Sequence, residues 1–172
     1  MLSYKHSFHD DEESISLLTT LLIRYPEVCS VNYSPVGRQL RLTFILNHQL
    51  DKKTQEQFQE EINNCVGAYI FFEKKEEPKH FKVKYTDGPG IGIVEITRDA
   101  ATLTQKEISL IINYMHERFP GYLVCDDLAL PEDDLLEHDD FIRYMLDKLR
   151  IKFPKYKLIA LREEGRVLVF KR

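Results

Sequence analysis

Long apolar runs are missing from this chain of 172 residues. Apolar stretches such as Ala68 to Phe72 stop far short of the roughly 20 residues that a membrane-crossing helix needs. No membrane span is expected. Met1 to His6 contain no apolar segment of the kind found in a secretory signal, so the expected location is the cytoplasm. Cysteine is also scarce. Cys29, Cys65 and Cys125 are an odd number and lie far apart. Neither a disulfide framework nor a Cys-rich zinc site is suggested, and free thiols in a reducing compartment are expected.

Catalytic strings are lacking too. There is no nucleophile elbow, no zincin helix and no triad string. Asp87-Gly88-Pro89-Gly90-Ile91-Gly92 is neither a P-loop nor a dinucleotide fingerprint, and Pro89 removes one N–H that a phosphate would need. A hairpin turn accounts for it. The acidic stretch Asp126-Asp127 and Glu132-Asp133-Asp134 offers oxygen ligands for Mg²⁺ or Ca²⁺. It lacks the spaced EF-hand pattern, and a solvated linker is the expectation.

Basic charge is in deficit: 24 Lys and Arg against 28 Asp and Glu give a net charge of −4 and a pI near 5.9. No global signature for nucleic acid results. The distribution is uneven. Residues 126–140 hold eight acidic side chains and no basic ones, whereas residues 141–172 hold ten basic and three acidic ones.

What is present is ordinary globular composition, 43% hydrophobic and 30% charged, enough for one core. Leu2 to Phe8 reads as a strand. A helix follows from the His9–Ser14 region to Pro26, with Ile15, Leu18, Leu21 and Leu22 on one face. Val28–Ser34 and Arg38–Leu46 read as a hairpin, with Leu40, Leu42 and Phe44 alternating with polar neighbours. A polar helix runs from Asp51 to about Asn64, and Ala68–Phe72 reads as a strand. The charged segment Glu73–Lys79, with Pro78, marks a boundary. Beyond it come strands at Phe81–Tyr85 and Gly92–Thr97, and a helix opened by a capping box at Thr104 and Glu107. A short strand at Tyr122–Cys125, a last helix from about Asp139 to Ile151 and a terminal hairpin complete the chain.

Three helix ends match: Arg24-Tyr25-Pro26, Arg118-Phe119-Pro120 and Lys152-Phe153-Pro154. The first and third extend without a gap, aligning Gly37 with Gly165, Arg38 with Arg166 and Leu40 with Leu168. The expected fold is therefore α+β, with two related halves at residues 1–75 and 79–172 packed as one unit. The first half has the ferredoxin-like βαββαβ order, an antiparallel sheet with helices on one face.

Two sets of residues are candidates for a site. His6, His9 and Asp10, with His138 and Asp139, have the donor types of a Zn, Mn or Fe site. The same His-Asp-Asp strings also suit the positive end of a helix dipole, as caps. Lys155, Lys157, Arg162 and Arg166, with Phe153, Tyr156 and Phe170, have the make-up of a single-stranded RNA surface, without an RNP-type string. The opening Met1-Leu2-Ser3-Tyr4-Lys5-His6-Ser7-Phe8-His9 resembles the start of bacterial ribosomal-RNA adenine methyltransferases. The rest of the chain has neither that family's length nor its glycine-rich cofactor turn after a strand, so the likeness implies no residue role. The leading expectation is a non-catalytic cytoplasmic binding or assembly module, with edge strands able to pair in a homodimer or with a protein partner. A metal-dependent hydrolase and a single-stranded RNA binder are the alternatives; no cofactor is specified.

Overall fold

The computed structural model describes residues 3–126 and 130–172, with side chains from residue 12 onward. In chain order its elements are α1 (Ser3–Arg24), β1 (Ser30–Ser34), β2 (Gln39–Leu46), α2 (Lys52–Phe72) and β3 (Phe81–Gly88). Then follow β4 (Ile91–Asp99), α3 (Gln105–Arg118), α4 (Glu132–Ile151), β5 (Leu158–Glu163) and β6 (Arg166–Lys171). The strands form one sheet in the order β3-β4-β2-β1-β5-β6. Every neighbouring pair is antiparallel.

The sheet is three hairpins laid side by side. Each turns on a glycine with positive φ, namely Gly37 (+73°), Gly90 (+70°) and Gly165 (+75°), a conformation that costs glycine little. Strand period does the rest. Val31, Tyr33, Leu40, Leu42, Phe44, Leu46, Val94, Ile96, Leu158 and Ala160 are buried and share one face of the sheet. They form one core cluster with Leu18 and Leu22 of α1, Phe58 and Ile62 of α2, Ile108 and Ile112 of α3, and Ile142 and Leu146 of α4. The helices thus pack on that face. The connection at residues 73–80 does not divide the sheet, because β2 and β4, from either side of it in the chain, pair over eight positions.

Three expected elements differ. Residues 3–8 are helical, not a strand. No glycine or proline stands between Met1 and Tyr25. Extending a formed helix adds a hydrogen bond per residue, whereas a strand needs a partner. Ala68–Phe72 is the last part of α2. Phe58, Ile62, Val66 and Ile70 are buried at a spacing of four, so helical period overrides the β propensity of the final aromatics. The last helix starts at Glu132, which makes the acidic stretch Glu132-Asp133-Asp134 the first turn of α4, where carboxylates suit the dipole. Residues 1–75 therefore read αββα over their described part, and the βαββαβ order expected there is not present. The short strand expected at Tyr122–Cys125 is reduced to a single bridge, Leu123 to Leu46.

The helical reading of residues 68–72 has a direct consequence. Gly67 lies inside α2, and a Cβ there would meet nothing within 4 Å. Gly67→Ala is expected to raise the unfolding free energy by about 0.5–1 kcal/mol. Urea denaturation measures it; a loss of stability would argue against a helix through this position.

One charged group sits in the core. Arg98 of β4 continues the buried row of Val94 and Ile96 and is only 2% exposed. Its Nε and Nη2 donate to Glu107 Oε2 and Oε1 at 2.6 and 2.7 Å. Its Nη1 donates to Asp99 Oδ1 and Thr102 Oγ1. Thr104 caps α3 by accepting from Glu107 N at 3.2 Å. The capping box is half made, because the Glu107 carboxylate turns to Arg98.

Candidate functional site

Where alternate strand residues are buried against helices, the others face away. That second face is covered by none of the described elements. Strand register places its side chains in rows. One row crosses all six strands as Lys82, Thr97, Arg41, Asn32, Ile159 and Phe170. The next reads Lys84, Glu95, Thr43, Ser30, Leu161 and Leu168. Both run from cationic and polar at β3 to apolar at β5 and β6.

A groove of about 300 Å³ opens on this face, lined by Asn32, Ser34, Gln39, Arg41, His80, Lys82, Thr97 and Lys157, with Tyr33 at its edge. Arg41 Nη1 is tied to Glu95 Oε2 at 2.8 Å. Lys82 and Lys157 have no ion-pair partner among the described residues. Asn32 Oδ1 is buried and accepts no hydrogen bond. A polar atom removed from water without a partner is costly, so an unmet acceptor lies just beneath the groove surface. Lys157 is positioned from both sides. Its backbone exchanges two hydrogen bonds with Arg172, and the preceding Pro154 carbonyl accepts from Tyr33 Oη at 3.1 Å. Burial pushes the Tyr33 hydroxyl up to about 12 against the pull of Arg38, so it stays a donor across the neutral range.

The residues singled out from sequence are scattered. His6, His9 and Asp10 lie in the N-terminal turns of α1, and their side chains are outside the described residues. His138 and Asp139 lie inside α4, beyond its first turn, so they do not cap it. Asp139 binds Arg24 at the other end of α1, with Oδ1–Nε at 2.7 Å and Oδ2–Nη2 at 3.2 Å. The helix rise puts His9 about 20 Å along α1 from that contact, so the two strings do not converge. His138 Nδ1 is buried without a partner. Among the described residues, no three His, Cys, Asp or Glu side chains form a group able to hold a metal ion.

The basic candidates also part company. Lys157 lines the groove. Lys155 and Arg166 are exposed, the latter beside the β5–β6 turn, opposite Glu163 on the open face. Arg162 is turned inward. Its side chain is 7% exposed and 2.9 Å from Asp126, and its Nη2 donates to the carbonyls of Leu22, Tyr25 and Val28. It closes the C-terminal end of α1. Asn32, Arg41 and Lys82 were not singled out. Their signal lay in strand alternation, since each occupies the polar parity of a strand whose apolar parity was legible.

On the helical side, a second hollow of about 310 Å³ lies among α2, α3 and α4, beside Lys75, Lys106, Arg143 and Arg150. Arg143 and Arg150 are already paired there with Asp140 and Asp147. Phe71 and Phe72 stand exposed at the end of α2. Cys29, Cys65 and Cys125 form no disulfide among the described residues, and burial pushes the Cys29 and Cys65 thiols up, away from nucleophilic use. No helix among the described residues is long and apolar enough to cross a membrane. Comparison with protein-family models, with curated proteins and with solved structures gives no match.

Proposed function

We propose that this protein is a non-catalytic binding module whose contact surface is the uncovered face of its sheet. The observation that carries the reading is the groove around Asn32, a concave site with two cations and a buried acceptor that have no partner among the described residues. Nucleophile, base and orienting group do not meet there in hydrogen-bonding reach, as an acyl- or phosphoryl-transfer site would require. Ligands with both an anionic group and a hydrogen-bond donor complement it.

A panel of small anionic fragments, followed by ¹H–¹⁵N NMR, tests this reading. Shifts are expected to cluster at the amides of Asn32, Arg41, Lys82 and Thr97. Shifts confined to α2, α3 and α4 would reject it.

We also infer that α1-β1-β2 and α4-β5-β6 are two copies of one unit. Support comes from the gapless alignment. The pairs Ser34 with Gln39 and Arg162 with Val167 fall at matched positions, as do the positive-φ Gly37 and Gly165. The two units meet through β1 and β5 and through α1 and α4. Together they place the polar centre and the apolar flank of the open face side by side.

A further inference from the structure

We infer that the uncovered face takes single-stranded nucleic acid, with Lys82, Arg41 and Lys157 on the phosphodiester chain and unstacked bases against Asn32 and the Phe170 ring. This rests on the open face being the contact surface. Three features of the face lead to it.

The first is charge. The strand positions on this face, with Lys157, carry five cations (Arg41, Lys82, Lys84, Lys157 and Arg166) and three carboxylates (Glu95, Asp99 and Glu163), of which Asp99 is turned to Arg98. The face is therefore +2 on a chain of −4, and the remaining residues carry −6. A polyanion is repelled by the rest of the molecule and attracted here, so the field orients it onto the face.

The second is shape. The row from Lys82 to Phe170 crosses six strands, about 24 Å at the usual strand spacing, which suits several linked nucleotides better than one small anion. The face presents strands without a projecting helix among the described elements. Nothing on it is built to enter the groove of a duplex, so base edges and faces are within reach only when unpaired.

The third is the gradient along that row. Lys82, Thr97, Arg41 and Asn32 supply polar and cationic side chains from β3, β4, β2 and β1, while Ile159, Leu161, Leu168 and Phe170 occupy β5 and β6. Phe170 is 50% exposed. Phosphates on the first region bring bases over the second, where an aromatic ring accepts any base by stacking. Turning of the partly exposed Asn32 amide, whose Oδ1 has no partner among the described residues, brings an acceptor within reach of a base N–H group such as that of uracil. The helical-side hollow also holds cations, Lys75, Lys106, Arg143 and Arg150, the last two paired with Asp140 and Asp147 much as Arg41 is with Glu95, but among the described residues it has no row of strand side chains running from cationic to apolar.

Fluorescence anisotropy of a labelled oligouridylate of about ten nucleotides, titrated with the full chain, tests the inference. Saturable binding is expected, with a log–log salt slope of about −2 for three phosphate contacts. A Lys82→Glu/Lys157→Glu double variant is expected to weaken it at least tenfold. Phe170→Ala is expected to weaken it about fivefold or more, and a duplex of the same length to compete poorly. Unchanged thermal unfolding of each variant shows that the fold is kept. Absence of saturable binding at 50 mM salt overturns the inference. If the fragment panel still shifts Asn32 and Arg41, only the ligand class has failed. Binding that survives the double variant but is lost in Lys106→Glu/Arg143→Glu overturns both the ligand site and the open-face reading.

Discussion

Arg98→Ala is expected to cost about 3–5 kcal/mol of folding stability, a large part of the 5–15 kcal/mol typical of a whole domain. The guanidinium is 2% exposed, and its two carboxylate partners, Glu107 and Asp99, are 1% and 2% exposed. Removing it leaves both acids buried without a counter-charge. The pair costs much to break but less to replace. Arg98→Met with Glu107→Leu is expected to recover part of the loss, because apolar groups of similar volume need no compensating charge. Chemical denaturation of the single and double variants measures both. A single variant within about 1 kcal/mol of the parent would show that water reaches the site.

The same cluster sets an acid limit. Burial pushes the Asp99 carboxyl up. Hydrogen bonds from Thr102 and the His80 amide, and the charge of Arg98, outweigh it and hold the group below its ordinary value of 3.8. A carboxyl lowered in the folded state contributes stability above its unfolded value and loses that contribution as pH falls through the folded one. Acid unfolding of the parent is therefore expected to steepen below pH 3.8. Asp99→Asn is expected to flatten this dependence.

Arg162→Ala and Lys157→Ala are expected to behave oppositely, although both belong to the same basic segment. Arg162 satisfies carbonyls of Leu22, Tyr25 and Val28 where α1 ends. Hydrogen bonds to a charged group contribute about 1.5–3 kcal/mol, and a loss of about 2–3 kcal/mol is expected for Arg162→Ala. Lys157 faces the groove without an ion pair among the described residues. Its removal is expected to change stability by no more than about 0.5 kcal/mol while weakening binding to the open face. Equal destabilisation by the two variants would contradict the placement of Arg162 inside and Lys157 outside.

Strand parity and turn residues were the most legible part of this chain. Leu40, Leu42 and Phe44 alternate with polar neighbours, and Gly37, Gly90 and Gly165 mark the hairpins. Thr104 announced the start of α3. Local pattern misled where two periods compete. Ala68–Phe72 has β-prone residues, yet Ile70 completes a helical row begun at Phe58. Residues 3–8 look alternating, but none of the described strands pairs with them to reward an extended chain. The groove was harder to read because Asn32, Arg41, Lys82 and Lys157 come from four strands or their margins, and only the order β3-β4-β2-β1-β5 brings them together. Arg98 was hidden for a different reason. It occupies an apolar parity position; Asp99 is its neighbour in the chain, and its main partner Glu107 faces it only after α3 packs on the sheet.

The most direct measurement of the open-face reading is a photocrosslinking map with a 5-iodouridine-substituted single strand, resolved by mass spectrometry. Crosslinks are predicted at Phe170 and His80, which flank the groove and its apolar margin. Crosslinks found only at Phe71, Phe72 or Tyr144, the exposed aromatics of α2 and α4, would place the ligand on the helical side and contradict the account.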